Sequence, residues 1–272
     1  MFNRIGFAAK PSPEAQEANE YTAPASTQTP RPCVAKIYFP QRHLTPAYYN
    51  DQFDLHPGDF VYVDGKLEGL LGQVLEVTYN FKIRLSDYKR VIAVADTTVH
   101  GRFYMAGSHA LTFEPTALPY QKALSWLQAP NAEETVCGTD DGADDGFALC
   151  ELETQLPSPT IARQGLEYFR DGRVVYLCVD GDRGYALVQG REVYEIEFCY
   201  RNGQISHLVC SCYCVGRCKH EIAAMLQLNE LVKKIEKDYS RQLQQSRYFA
   251  AMDKDLLFRF AVDGKDSGGF TL

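Results

Sequence analysis

The stretch VCSCYCVGRCKHEIAAML, Val209 to Leu226, sets four cysteines within nine residues and a histidine two places after the last of them. An apolar helical period starts immediately afterwards, at Ile222. Thiols this crowded answer to one of three chemistries: a metal, a disulfide or a catalytic nucleophile.

Cys210 and Cys212 end a strand-like run. Residues i and i+2 of a strand face the same side, so both thiolates can reach one ion without distortion. A disulfide between them would close a small, strained ring. The redox setting also disfavours disulfides. The opening MFNRIGFAAKPSPEAQEANE has a basic residue but no sustained apolar run or cleavage site, so no secretory signal is expected. No run of about 18 apolar residues is present to span a membrane. A cytoplasmic protein without membrane attachment is expected, and its thiols should stay reduced.

Cys218 and His220 are also two apart, but in a regular helix such positions point about 200° away from each other. Both can bind one ion only if the helix begins at or just after them, which is where the apolar period starts. Cys210, Cys212, Cys218 and His220 then form a closed tetrahedral set of the kind that holds one structural zinc ion. Two alternatives stay open at this point. Cys212 with Cys214 is an equally good C-x-C pair, although only three residues then separate Cys214 from Cys218, and His207 is a possible outside ligand. A catalytic zinc would keep one position open. The adjacent carboxylate, Glu221, stands at a helix N-terminus, where it is favourable without any chemistry. Three thiolates on a divalent ion leave about one excess negative charge, which Arg217 and Lys219 are placed to offset.

The rest of the chain reads as α+β and β-rich. Residues 1–32, rich in Pro, Ala, Ser, Thr and Glu, are expected to form a disordered arm. Residues 33–115 read as short strands, with HPGDFVYVDG and GLLGQVLEVTYNFKIRL supplying the turn and alternation signals. The pattern GDxVxV…GxVxEV is similar to a small SH3-like β-barrel, expected here as an interaction scaffold. Residues 116–157 hold a short helix, in PYQKALSWLQAP, and an acidic linker. Asp140, Asp141, Asp144 and Asp145 in that linker lack the spacing of a calcium loop.

Residues 158–245 turn at Asp171-Gly172, Asp180-Gly181, Gln189-Gly190 and Asn202-Gly203, the marks of an antiparallel β-meander of about four strands beginning near Ile161. Its last strand runs into the cysteines, and one long helix follows, from about His220 to Tyr239 or beyond. Ile222, Leu226, Leu228, Leu231, Val232, Ile235 and Tyr239 lie on that helix, and those near one stripe should pack on the sheet. Residues 246–272 remain as a C-terminal tail. Of the scattered cysteines 33, 137, 150, 178 and 199, Cys178 and Cys199 sit in apolar strand runs and are expected to be small core residues.

The cysteine-rich residues resemble a SWIM zinc finger, whose pattern is C-x-C, a variable gap, then C-x-H opening a helix. Cys210, Cys212, Cys218 and His220 fall on the four ligand places, and RCKHEIAAML is close to the family's usual wording. The preceding GLEYFRDGRVVYLCVDGDRGYALVQGREVYEIEF is similar to the strands before the motif in bacterial SWIM proteins, so the resemblance spans Ile161 to Ile235. The gap between the pairs is short for the family, and Cys214 is extra. The resemblance implies a zinc-binding module for DNA or protein contacts. Such modules occur beside Swi/Snf-type helicase-like ATPases, in transposase-like proteins and in some signalling proteins. The chain has no G-x-x-x-x-G-K-[ST] loop, so it is not expected to be such an ATPase itself.

The function expected is therefore protein–protein interaction around a structural zinc, with a helicase-like ATPase as a candidate partner. DNA binding is the alternative, with Arg217, Lys219, Lys233, Lys234, Lys237 and Arg241 as possible phosphate contacts. A net charge of −7 opposes general nucleic-acid affinity. No enzyme is expected: there is no Ser-His-Asp order, nucleotide loop or paired-carboxylate motif, and a thiol enzyme would need Cys212 or Cys214 free of metal.

Overall fold

The computed structural model describes residues 30–82, 88–130, 146–155, 158–214, 216–262 and 268–271. They form an α+β, strand-rich structure with two antiparallel sheets and five α-helices. Most of the expected arm and all four linker aspartates lie outside the described residues.

The smaller sheet is built from β1 (Cys33–Tyr38), β2 (Ala47–Asn50), β3 (Phe60–Val63), β4 (Gly72–Thr78) and β5 (Val91–Val94), in the order β2-β1-β4-β3-β5. β3 is buried along its whole length. Val61 and Val63 enter this sheet's own core, while Phe60 and Tyr62 enter a second core shared with the larger sheet. A strand buried on both faces needs an unbroken apolar run, which FVYV supplies. The sheet curls until Tyr49 bridges Arg90, with the Tyr49 N–H donating to the Lys89 carbonyl. No continuous ladder joins β2 to β5 among the described residues, so no closed barrel is found there.

The larger sheet takes its strands from across the chain. After β6 (Val99–Arg102) come β7 (Tyr104–Ala106), β8 (His109–Thr112), β9 (Phe147–Ala148), β10 (Val174–Asp180), β11 (Arg183–Gln189), β12 (Val193–Arg201), β13 (Gln204–Cys210) and β14 (Tyr248–Asp253). Strands β7 to β14 pair in the order β7-β8-β14-β10-β11-β12-β13-β9. The four-stranded meander is present as β10 to β13. Its hairpins turn where expected, through Gly181 and through Asn202-Gly203, where φ is 51° and 80°. The sheet crosses the segment limits drawn from sequence: β7 and β8 come from before residue 115, and β14, from the expected tail, sits between β8 and β10. β6 pairs in parallel with β15 (Gly268–Thr271).

The helices are α1 (Tyr120–Ser125), α2 (Pro159–Arg170), α3 (Lys219–Asp238), α4 (Ser240–Ser246) and α5 (Lys254–Ala261). α1 and α3 are the two the sequence marked. Where a strand was expected from Ile161, the structure has α2 instead. Ser158 Oγ caps it by accepting from the Ile161 N–H at 3.3 Å, and Pro159 supplies a first-turn residue that needs no donor.

α3 covers one face of the large sheet. Met225, Leu228, Leu231 and Ile235 pack there against Leu177, Val188, Ile196 and Phe198. Each fully buried Leu or Ile contributes about 2 kcal/mol, several times the intrinsic helix-propensity differences of about 0.5 kcal/mol, so packing decides where α3 sits. The other face carries Tyr176, Cys178, Ala250 and Met252 against Phe60, Tyr62, Trp126 and Phe260. Two tyrosine hydroxyls, of Tyr176 and Tyr248, donate to the Leu118 carbonyl at 2.9 Å each and tie the layers together. Cys178 is in this core, its thiol pushed up to about 12 by burial, whereas Cys199 is only half-buried.

Candidate metal centre

One bulge decides which way Cys210 faces. In β13, Ser206 pairs with Cys199 and Val209 with Glu197, so His207 and Leu208 together oppose Phe198, and His207 takes φ 50°. The extra residue reverses the alternation of the strand. Ile205 points into the core before the bulge; after it, Leu208 and Cys210 pack toward the core, and Val209 is exposed. Cys210 therefore lies on the face that α3 covers. Ser211 prolongs the pairing by one residue, its N–H donating to the Glu195 carbonyl at 2.9 Å. The chain then bends through Ser211–Tyr213 and carries Cys212 round toward the helix.

Cys218 is the N-cap of α3 and part of a reciprocal capping box. Its sulfur accepts from the Glu221 N–H at 3.5 Å, and Glu221 Oε2 accepts from the Cys218 N–H at 3.0 Å. His220 follows in the first turn. The N-cap residue stands outside the helical spiral, and this resolves the 200° problem of a C-x-H spacing. Cys218 and His220 are both 3% exposed.

The ligand atoms of Cys210, Cys212, Cys218 and His220 all lie within 4.8 Å of one another. His220 Nδ1 is 3.8 Å from the sulfurs of both Cys210 and Cys218. A tetrahedral ion with bonds of about 2.3 Å to sulfur and about 2.0 Å to nitrogen sets those edges at about 3.5 Å, so residues from the end of β13, the bend after it and the head of α3 are already close to coordinating distance. Cys214 and His207, the two open alternatives, lie outside this group. Cys214 is exposed in the loop, and His207 occupies the bulge.

The three thiols shift one another's protonation. A hydrogen bond from Cys210 is the main cause that holds the Cys218 thiol down to about 4, helped by His220 and the Glu221 backbone and opposed by burial. Cys210, as the donor, is pushed far up, and burial pushes Cys212 up to about 11. The pocket thus tolerates one thiolate but penalises three, unless a cation sits among them.

Aromatic rings hold the site from outside. Tyr194 of β12 stacks on His220 at 4.0 Å with an interplanar angle of 16°, and Tyr168 of α2 meets it edge-on at 5.4 Å. Gly190 leaves room for them, since a Cβ there would come within 2.9 Å of the Tyr194 ring. α2 itself can approach only because of Gly165, where a Cβ would fall 2.5 Å from Ile222 Cγ2. Spacing in the sequence singled out the four residues that cluster here but not these supporting residues. The one readable signal was Cys218-x-x-Glu221, a capping box with cysteine in the usual Ser/Thr place.

The six basic candidates are not equivalent. Arg217 lies over Phe147 at 4.5 Å and Lys219 over Tyr168 at 4.7 Å. Lys234 is paired with Asp238 at 2.7 Å. Lys233, Lys237 and Arg241 are exposed, the first two one turn apart on α3.

No family model, curated protein or solved structure gives a significant match to the chain. No helix among the described residues is long and apolar enough to cross a membrane.

Proposed function

We propose that Cys210, Cys212, Cys218 and His220 hold one structural zinc ion and that the chain acts as a SWIM-type interaction module for a protein partner, with a Swi/Snf-type helicase-like ATPase as the candidate the motif suggests. The observation that carries the reading is the convergence of four ligand atoms within 4.8 Å. Three soft sulfurs and one imidazole nitrogen suit zinc far better than a hard cation. The set is closed, which supports pinning rather than catalysis. The ion would fasten the end of β13 to the head of α3 and hold out the loop between them, where Tyr213 is fully exposed. The curled N-terminal sheet would serve as an SH3-like scaffold beside it.

Metal analysis of reduced, purified protein tests this reading. One zinc per chain is expected, lost in the double variant Cys218→Ser/His220→Ala. A metal-free wild-type protein, or unchanged zinc in the double variant, refutes it. DNA contact is a second reading, favoured only by the exposed Lys233, Lys237 and Arg241. It requires an electrophoretic shift at low salt that Lys233→Glu with Lys237→Glu removes.

A further inference from the structure

We infer that the cavity between the smaller sheet and α5 is a peptide site for an aromatic ring with carboxylates beside it, and that it takes residues 11–29 of this chain. It lies on the side of the large sheet away from α3 and needs no metal. Tyr38, Pro40, Phe60, Leu71, Gln73 and Arg259 line it, and its volume is about 140 Å³. Sites for drug-sized ligands start at about 300 Å³, whereas a void of about 150 Å³ admits benzene. One ring fits, and little more.

The lining also sets the charge of what accompanies that ring. Phe60 and Leu71 are buried, while Arg259 is exposed. Its guanidinium lies 5.6 Å from the Phe260 ring and has no carboxylate partner among the described residues. An unpaired guanidinium at the edge of an apolar cavity suits a carboxylate, which it can hold through two parallel hydrogen bonds.

The chain before β1 supplies both groups. Residues 11–29 hold Glu14, Glu17 and Glu20, no Lys or Arg, and one aromatic residue, Tyr21. Their point of departure is fixed, because Arg31 lies over the Tyr79 ring at 5.0 Å, just past the end of β4. Val34 pairs with Thr78 and Tyr38 with Gln73, so the cavity stands at the opposite end of the same two strands. Residues 31–38 cover about 26 Å at most, and residues 22–30 extend to about 30 Å. Tyr21 therefore reaches back to the cavity, over a face that leaves Leu75 and Tyr79 exposed. A short tether gives an effective concentration of about 1 mM, so a contact with a Kd of about 1 mM leaves the site half filled. A separate peptide at micromolar concentration would leave it nearly empty, which makes the chain's own segment the occupant.

The experiment places p-benzoylphenylalanine at position 21 of the full chain, which keeps an aromatic ring there, and maps the cross-links by mass spectrometry after irradiation. The bond should join that position to Tyr38, Pro40, Leu71 or Gln73 of the same chain, at a yield that does not change on dilution. Losing a charge-assisted bond raises Kd about tenfold and takes a half-filled site to about a tenth, so Arg259→Glu should cut the yield about fivefold. Adding Glu14→Lys, Glu17→Lys and Glu20→Lys to Arg259→Glu should restore it. No bond at the cavity, a bond between two copies, a yield indifferent to Arg259→Glu, or failure of the three lysines to restore it overturns the assignment.

Discussion

His220 illustrates what fixes a ligand at the scale of one side chain. Its Nδ1 faces two sulfurs at 3.8 Å, and its ring is clamped by Tyr194 on one face and the edge of Tyr168. Supporting contacts of a metal-binding histidine fix its ring orientation, and their loss typically weakens binding by about 10- to 100-fold. Tyr194→Ala should therefore weaken zinc binding by roughly tenfold in a chelator competition, while Tyr194→Phe, which keeps the stacked ring, should bind as the parent does. Equal affinity in the alanine variant would show that the ring merely fills space. The cluster itself was legible because C-x-C and C-x-H bring four donor residues into one short stretch. Tyr168 and Tyr194 were not, since only the docking of α2 and β12 brings them to His220. A periodic or spacing signal cannot encode a contact that tertiary packing creates.

β13 carries the corresponding argument for an element. Regular alternation from Ile205 would turn residues 207 and 209 inward and Cys210 outward, away from α3. The bulge at His207 inserts the one residue that reverses this. Inserting one alanine between Leu208 and Val209 should turn Cys210 off the site and abolish stoichiometric zinc binding, whereas deleting His207 leaves Leu208 and Cys210 on the inner face of a regular strand and should keep it. His207→Gly should retain the metal, because glycine adopts φ 50° without strain. Zinc content together with far-UV circular dichroism reads these variants, and an insertion variant that still holds one zinc would sink the account. Strand alternation in the sequence put Cys210 and Cys212 on one side, whereas β13 ends at Cys210 and the bend after it brings Cys212 round; nor could the sequence say which side Cys210 takes, because nothing local distinguishes a bulge from a regular strand. α2 escaped for a related reason. Ser158-Pro159 announces a helix start, yet the Asp171-Gly172 turn that follows reads as hairpin punctuation, and Gly165 is there for a close approach to Ile222 that only the folded chain displays.

Over the whole molecule, the larger sheet changes what the proposed metal would have to do. Read as an isolated meander with one helix, the C-terminal segment would depend on zinc for its fold. Instead β14 is inserted between β8 and β10, and Trp126, Phe260 and Tyr62 close the far face. These pairings join residues remote in sequence, so no local pattern could reveal them. On the zinc reading, a core of this extent should fold without the ion. Removing it should release the loop between β13 and α3 and loosen the first turn of α3, leaving the sheet in place. If free zinc stands a thousandfold above its Kd, the ion stabilises the native state by about 4 kcal/mol, which for a chain of this size is about 10 °C in Tm. Chelation should therefore lower Tm by that order while the far-UV spectrum at 25 °C persists, and trypsin should begin to cut at Arg217 and Lys219, whose side chains rest on Phe147 and Tyr168 in the intact site. If chelation instead erased the far-UV signal at 25 °C, the ion would be holding the sheet itself, and the independence of the core argued from β14 would be wrong.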